Sequence, residues 1–213
     1  MAKGSDGILS GLITFCHEKL GLSPNNISVI GFAVGIIAAT VVALGYLVAG
    51  LILLAVSQVI DGVDGGVARQ YALISERGKT LEIVFDRLSE LAIFLALVSV
   101  GLVSFRMAIL AFVAILLVTI VEPMSGFDPG FKRFMMYFGY LGTVLFGVQG
   151  FEIAMRVVFW ANLSAFVVGT IMVDYRLQRE VDTQAILRRE SERVIGVQPF
   201  PDDPPSLLSR LFA

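Results

Sequence analysis

Cysteine and histidine are almost missing: Cys16 and His17 are the only ones in 213 residues. A single cysteine excludes an intrachain disulfide framework and a multi-cysteine zinc site, and a single histidine excludes a histidine-rich metal centre. Charge is scarce too, at 16% of residues with a formal net charge of -2, so nucleic acid is not an expected partner and a disordered polyelectrolyte is not an expected class. What is present is apolar. Hydrophobic residues make up 56% of the chain and its mean hydropathy is +0.83, too high for an ordinary water-soluble domain of this size. A bilayer is the natural solvent.

The apolar stretch after Asp6 is interrupted by His17, Glu18 and Lys19 and lacks a small-residue cleavage site, so it reads as mature protein, not as a signal peptide. Ile8, Leu9, Leu12, Ile13, Phe15, Cys16 and Leu20 fall mostly on one side of a 3.6-residue helix. That suits an amphipathic helix in the membrane interface, with an ordinary helix packed on the rest of the protein as the alternative.

Runs of roughly 20 apolar residues cross a hydrocarbon core as helices. Six such runs are expected, at about 27–47, 49–71, 80–103, 107–121, 134–148 and 153–173. Ser23-Pro24-Asn25-Asn26 is a turn-and-cap sequence ahead of the first. The expected architecture is an all-α membrane protein of six transmembrane helices preceded by an interfacial amphipathic helix. Without an internal repeat or long linker, the parts are residues 1–24, the amphipathic helix; 25–175, the transmembrane catalytic domain; and 176–213, a cytoplasmic helix to about Ile195 and a loose proline-rich extension.

Lysine and arginine set the expected orientation. Arg77 and Lys79, then Lys132 and Arg133, then Arg176, Arg179, Arg188, Arg189 and Arg193 mark one side, against Arg106 and Arg156 on the other. A multi-pass cell-membrane protein with both termini and its acidic residues on the cytoplasmic side follows.

Those acidic residues are the chemical feature. An ionised carboxylate in a bilayer helix costs several kcal/mol unless paired, hydrated or bound to metal. Asp61 and Asp64 lie one turn apart in the second span, and Glu82, Asp86 and Glu90 repeat at four-residue spacing in the third. A short connection makes the two spans antiparallel and lets the stripes meet. Oxygen ligands without imidazole or thiolate suit magnesium, manganese or calcium, and magnesium tends to share its coordination with substrate phosphate. Gly62, Gly65 and Gly66 leave the helix bare beside the aspartates, with Ala68 and Arg69 one turn on, so that a ligand can lie against the backbone. Close helix packing is the competing explanation for these glycines.

The run Asp61-x-x-Asp64-Gly65-x-x-Ala68-Arg69, eight residues, then Gly78-x-x-x-Glu82-x-x-x-Asp86 resembles the signature of the CDP-alcohol phosphotransferase family. The departure is Glu82, where that family has aspartate; its extra methylene moves the oxygens by about an ångström. The resemblance implies that Asp61, Asp64, Glu82 and Asp86 ligate one or two Mg2+ or Mn2+ ions, with Asp86 also the general base. It further implies that Asp64, Gly65, Ala68, Arg69 and Gly78 bind the cytidine nucleotide. A CDP-linked donor, an alcohol or phospho-alcohol acceptor, membrane lipid and a homodimer are the implied partners.

Lys132 and Arg133 are candidates for an acceptor phosphate, with headgroup contact as the alternative. Arg87 is expected to pair with a carboxylate. Phe134, Tyr137, Phe138 and Tyr140 read as lipid-facing packing and an interfacial belt. A catalytically silent nucleotide-binding relative and a cation transporter are the rival functions.

Overall fold

The structure, a computed structural model, describes residues 6–127, 130, 132–147 and 149–195. The described residues contain helices and no strand. They are α1 (Asp6–Thr14), continued by a π-helical turn (Phe15–Lys19), α2 (Pro24–Ala43), α3 (Leu47–Gln70), α4 (Glu76–Ser99), α5 (Phe105–Ser125), α6 (Phe134–Phe146) and α7 (Gly150–Ile195). The extension expected after Ile195 lies outside the described residues.

Local chemistry sets the helix ends. Ser23 accepts a hydrogen bond from the Asn26 amide and Pro24 takes the first helical position, so α2 starts at the cap and not at residue 27. It stops at Ala43, because the chain turns through Gly45 at φ 92, breaking the run expected to reach residue 47. The Ser75 hydroxyl likewise accepts from the Gly78 amide and starts α4 at Glu76, ahead of the expected residue 80. In place of a span ending near residue 173 and a separate cytoplasmic helix, α7 is one helix of 46 residues. No glycine or proline falls between Val173 and Ile195 to interrupt it.

Among the described residues four helices are long and apolar enough to cross a membrane: α2, α3, α5 and the Gly150–Arg188 part of α7. With 13 residues α6 rises only about 20 Å, less than a hydrocarbon core of about 30 Å. In α4 the first half is charged, from Glu76 through Lys79, Glu82, Asp86 and Arg87 to Glu90.

The chain divides into two compact units, Met1–Phe112 with Phe131–Val158, and Val113–Gly130 with Phe159–Ala213. In the second, a Cβ on Gly169 of α7 would stand 3.0 Å from Val121 of α5, and Arg176 donates to the Met124 carbonyl at 2.9 Å, satisfying the end of α5.

The first unit is organised around α2, which packs against both acid-bearing helices, α3 and α4. Its buried stripe of Ser28, Gly31, Gly35, Ala38, Ala39 and Val42 is small, so neighbouring backbones approach closely. A Cβ on Gly35 would stand 3.2 Å from the Ser57 hydroxyl of α3 and 3.1 Å from the Ser89 hydroxyl of α4. Phe32 stacks on Phe85 at 4.5 Å, and Ser57 donates to the Gly31 carbonyl. The two acid-bearing helices therefore meet on α2, whereas the sequence reading placed them together through their short connection.

Packing also fixes α1. Ile13 joins Ile27, Val63 and Val67 in a buried cluster, while the π-turn places His17 against Tyr71 and Glu18 accepts from the Tyr71 hydroxyl at 2.9 Å. Leu12, Phe15 and Leu20 remain exposed.

Candidate functional site

Asp61 and Asp64 project from α3 one turn apart, and α2 meets both. The Ser28 hydroxyl donates to Asp64 Oδ2 at 2.6 Å; Asp64 is only 4% exposed, and its Oδ1 is buried without a hydrogen-bond donor. Gly31 makes room for Asp61, since a Cβ there would come within 2.7 Å of its Oδ1. On α4, Glu82 and Asp86 face the same region. Asp64 lies within Coulombic reach of Glu82 and Asp61, and Glu82 within reach of Asp61 and Asp86, so the four acids form one electrostatic group.

A cation already sits among them. The Arg133 guanidinium, from the residue before α6, donates through Nη1 to Asp61 Oδ2 and through Nη2 to Asp86 Oδ1, linking α3 to α4. Behind it Arg87 pairs with Glu90 at 2.5 Å, as expected of Arg87. Glu90 and Lys132 are each 4% exposed, so Lys132 is not a residue of the headgroup layer. Tyr137 also departs from the lipid-facing role: its hydroxyl accepts from Gln58 Nε2 and donates to the Leu51 carbonyl, both at 3.3 Å. Phe134 and Phe138 are exposed, in keeping with lipid contact.

Beside the acids opens a cleft of about 260 Å³. Asp64, Gly65, Ala68, Arg69, Gly78 and Glu82 all line it, together with Pro24, Asn25, Ser28, Leu73, Ile74, Ser75 and Lys79. The Arg69 guanidinium overlies Gly65, where a Cβ would stand 3.2 Å from Nη1. Gly78 is confined by the Ser75 hydroxyl and the Asn25 amide oxygen, at 3.0 and 3.2 Å from a Cβ. Gly66 serves packing instead: it lies under Ile13 of α1, so the expectation that it stays bare for a ligand is corrected. Asp61 and Asp86 do not line the cleft but stand next to it, at Arg133.

These residues suit a hard divalent cation. The donor set is carboxylate oxygen, one buried oxygen of Asp64 has no donor, and Asp61 and Asp86 share a positive group. Among the described residues no three acidic, histidine or cysteine side chains converge as a ready-made ligand set.

Sequence reasoning missed Ser28, Asn25 and Gly31, because they come from α2, and Ser28 is 36 positions from Asp64. The small-residue stripe 28/31/35/38 was the available signal.

Comparison with known proteins bears on this arrangement. Residues 22–168 match the sequence profile of the CDP-alcohol phosphatidyltransferase family. Inner membrane protein YnjF of Escherichia coli is 35% identical over 86 residues, covering 40% of this chain and 39% of that protein. Archaetidylinositol phosphate synthase of Pyrococcus horikoshii is 32% identical over 95 residues, covering 45% of this chain and 50% of that protein. The chain thus matches half or less of the length of these curated relatives. In fold it resembles Mycobacterium tuberculosis phosphatidylinositol phosphate synthase solved with CDP-DAG bound, with a TM-score of 0.66 at 17% identity over 78% of this chain and 93% of that one. The same enzyme solved with manganese and citrate gives 0.65 at 17% identity, over 78% and 88%. With the profile covering most of the chain and the signature residues lining one cleft or standing next to it, the protein belongs to the CDP-alcohol phosphatidyltransferase family, whose members transfer substituted phosphate groups.

Proposed function

We propose that this protein transfers a phosphate-linked group of phosphatidyl type from a CDP-linked donor to an alcohol or phosphorylated alcohol, releasing CMP. The observation that carries the reading is the gathering of Asp64, Gly65, Ala68, Arg69, Gly78 and Glu82 around one cleft, with Asp61 and Asp86 beside it. At about 260 Å³ the cleft is below the ~300–1,000 Å³ of sites that enclose a drug-sized ligand, which suits a grip on the nucleotide with the remaining donor outside. The CDP-DAG bound by the Mycobacterium tuberculosis neighbour and the name of the archaeal relative agree with such a donor.

In this reading Gly65, Ala68 and Gly78 let the nucleotide approach the backbone, and Arg69 pairs with its diphosphate. Asp61, Asp64, Glu82 and Asp86 would hold one or two Mg2+ or Mn2+ ions. Such an ion, when bound, neutralises the diphosphate and stabilises the CMP leaving group. Asp86 takes the proton of the acceptor hydroxyl as its oxygen attacks the phosphorus of the transferred group; the bond from that phosphorus to the CMP oxygen breaks, and CMP departs. Lys132 and Arg133 are the groups for a phosphate on the acceptor.

The same reading has six spans, including α4 and the short α6, which crosses where the bilayer thins locally to match it, with α1 in the interface. Exposed Leu12 on α1, Phe15 on the π-turn and Leu20 just after it support that placement. It assigns residues 1–24 to the interface, 25–175 to the catalytic domain and 176–213 to the cytoplasmic segment. Both termini and the cleft face the cytoplasm, and the chain forms a homodimer.

Glu82 and the open acid group favour one alternative, a silent relative that binds nucleotide without turnover. Screening CDP-linked donors against alcohols and phosphorylated alcohols, with released CMP as readout, decides between them. Divalent-cation-dependent CMP release is the expected result; nucleotide binding with no release from any donor would establish the silent alternative.

A further inference from the structure

Arg133 bonds the two carboxylates that the proposed chemistry assigns to a metal. Its side chain is 15% exposed, against 26% for Asp61 and 32% for Asp86, so the three groups meet largely away from water. One fork nitrogen goes to each acid, placing the guanidinium between α3 and α4. A divalent ion seated between Asp61 and Asp86 would need the place that the guanidinium fills, and two cations in one small space repel. We infer that Arg133 is an exchangeable counter-ion: cation binding expels its guanidinium from Asp61 and Asp86, and the expelled guanidinium becomes the receptor for a phosphate monoester.

The surroundings leave the freed group few anions within the protein. Glu90, the carboxylate behind it, is engaged by Arg87 at 2.5 Å and lies close to buried Lys132, while Glu82, also within reach of Arg133, belongs to the acids assigned to the cation. A buried guanidinium without an anion is unfavourable, and a phosphate presents the matching fork of acceptors. Cation and phosphate then assist each other, because each removes an obstacle to the other, and linkage makes the assistance reciprocal. In this way the site takes cation and acceptor phosphate together more readily than either alone. The inference rests on the proposed metal-binding reading and adds to it an internal competitor and a coupling between the two ligands.

The test is Mn2+ binding to the purified full chain, read from the electron paramagnetic resonance signal of free Mn2+, for the parent protein, Arg133→Lys and Arg133→Gln, with and without glycerol 3-phosphate. Arg133→Lys decides the exchange, because lysine keeps the charge but cannot span two carboxylates. It should bind Mn2+ about ten-fold more tightly than the parent, whereas equal or weaker binding overturns the inference, since simple charge repulsion would survive this substitution. Glycerol 3-phosphate should tighten Mn2+ binding to the parent by about five-fold or more, and that coupling should vanish in Arg133→Gln. Coupling of equal size in Arg133→Gln would mean that the phosphate touches only the metal, and overturns the receptor role. If Arg133→Gln fails to fold, loss of most of the coupling in Arg133→Lys replaces it as the criterion, and full retention there overturns the role. Parent protein that binds Mn2+ while Arg133→Lys binds no tighter defeats the exchange alone; absence of Mn2+ binding in every form defeats the metal-binding reading with it.

Discussion

Asp86 carries two assignments in the proposed chemistry, metal ligand and proton acceptor, and replacing one oxygen by an amide separates them. Asp86→Asn should lower CMP release by roughly a hundred- to ten-thousand-fold, the usual span for loss of a general base, while most of the CMP affinity remains. Near-parent turnover would remove Asp86 as the base. Glu82 poses the opposite question. Glu82→Asp should keep or raise turnover if a carboxylate at this position is a ligand, and a folded but inactive variant would show a site rebuilt around the longer side chain. The acids were legible in the sequence because each pair lies on one helix at one-turn spacing, 61 with 64 and 82 with 86, and buried charge stands out in an apolar run. Ser28 and Gly31 were not. Their roles arise from contact between helices distant in sequence, and no local pattern in α2 names Asp64 or Asp61 as the partner. Arg133 was read as a candidate for an acceptor phosphate, but its bond to both acids depends on where α6 begins.

At the scale of the element, the turn between α3 and α4 positions Arg69 and Gly78 on one cleft. It passes through Ala72 at φ 55, the single non-glycine residue with positive φ among the described residues, while the Leu73 amide closes on the Ala68 carbonyl at 2.9 Å. This is a left-handed helix terminus, where glycine is the usual occupant because a Cβ is strained there. Ala72→Gly should therefore stabilise the protein by about 1 kcal/mol, seen as a higher thermal unfolding midpoint in detergent. A lower midpoint would show that the turn prefers another conformation. Helix existence was readable from apolar runs, whereas the starts at Pro24 and Glu76 lie ahead of the expected residues 27 and 80, because the Ser23 and Ser75 hydroxyls cap them. The continuity of α7 was harder to see, since Asp174 and Arg176 change the polarity without breaking the backbone. Charge pattern reports solvent, and helix ends report capping chemistry.

For the whole molecule, the proposed topology sets the acid end of α4 against its apolar end across the bilayer. Its 24 residues rise about 36 Å, enough to put the two ends at opposite interfaces. In a Cys16→Ser background, single cysteines at Lys79 and at Arg106 should react with a membrane-impermeant thiol reagent from opposite faces, Lys79 from the cytoplasmic one. Labelling of both from one face would contradict the six-span reading. If helices meeting on α2 pool carboxylates into a cation-dependent nucleotide site, isothermal titration of the purified protein with CMP and CDP should show saturable binding of both nucleotides in the presence of Mn2+ and none in its absence; no binding at all, or binding indifferent to Mn2+, would overturn that site.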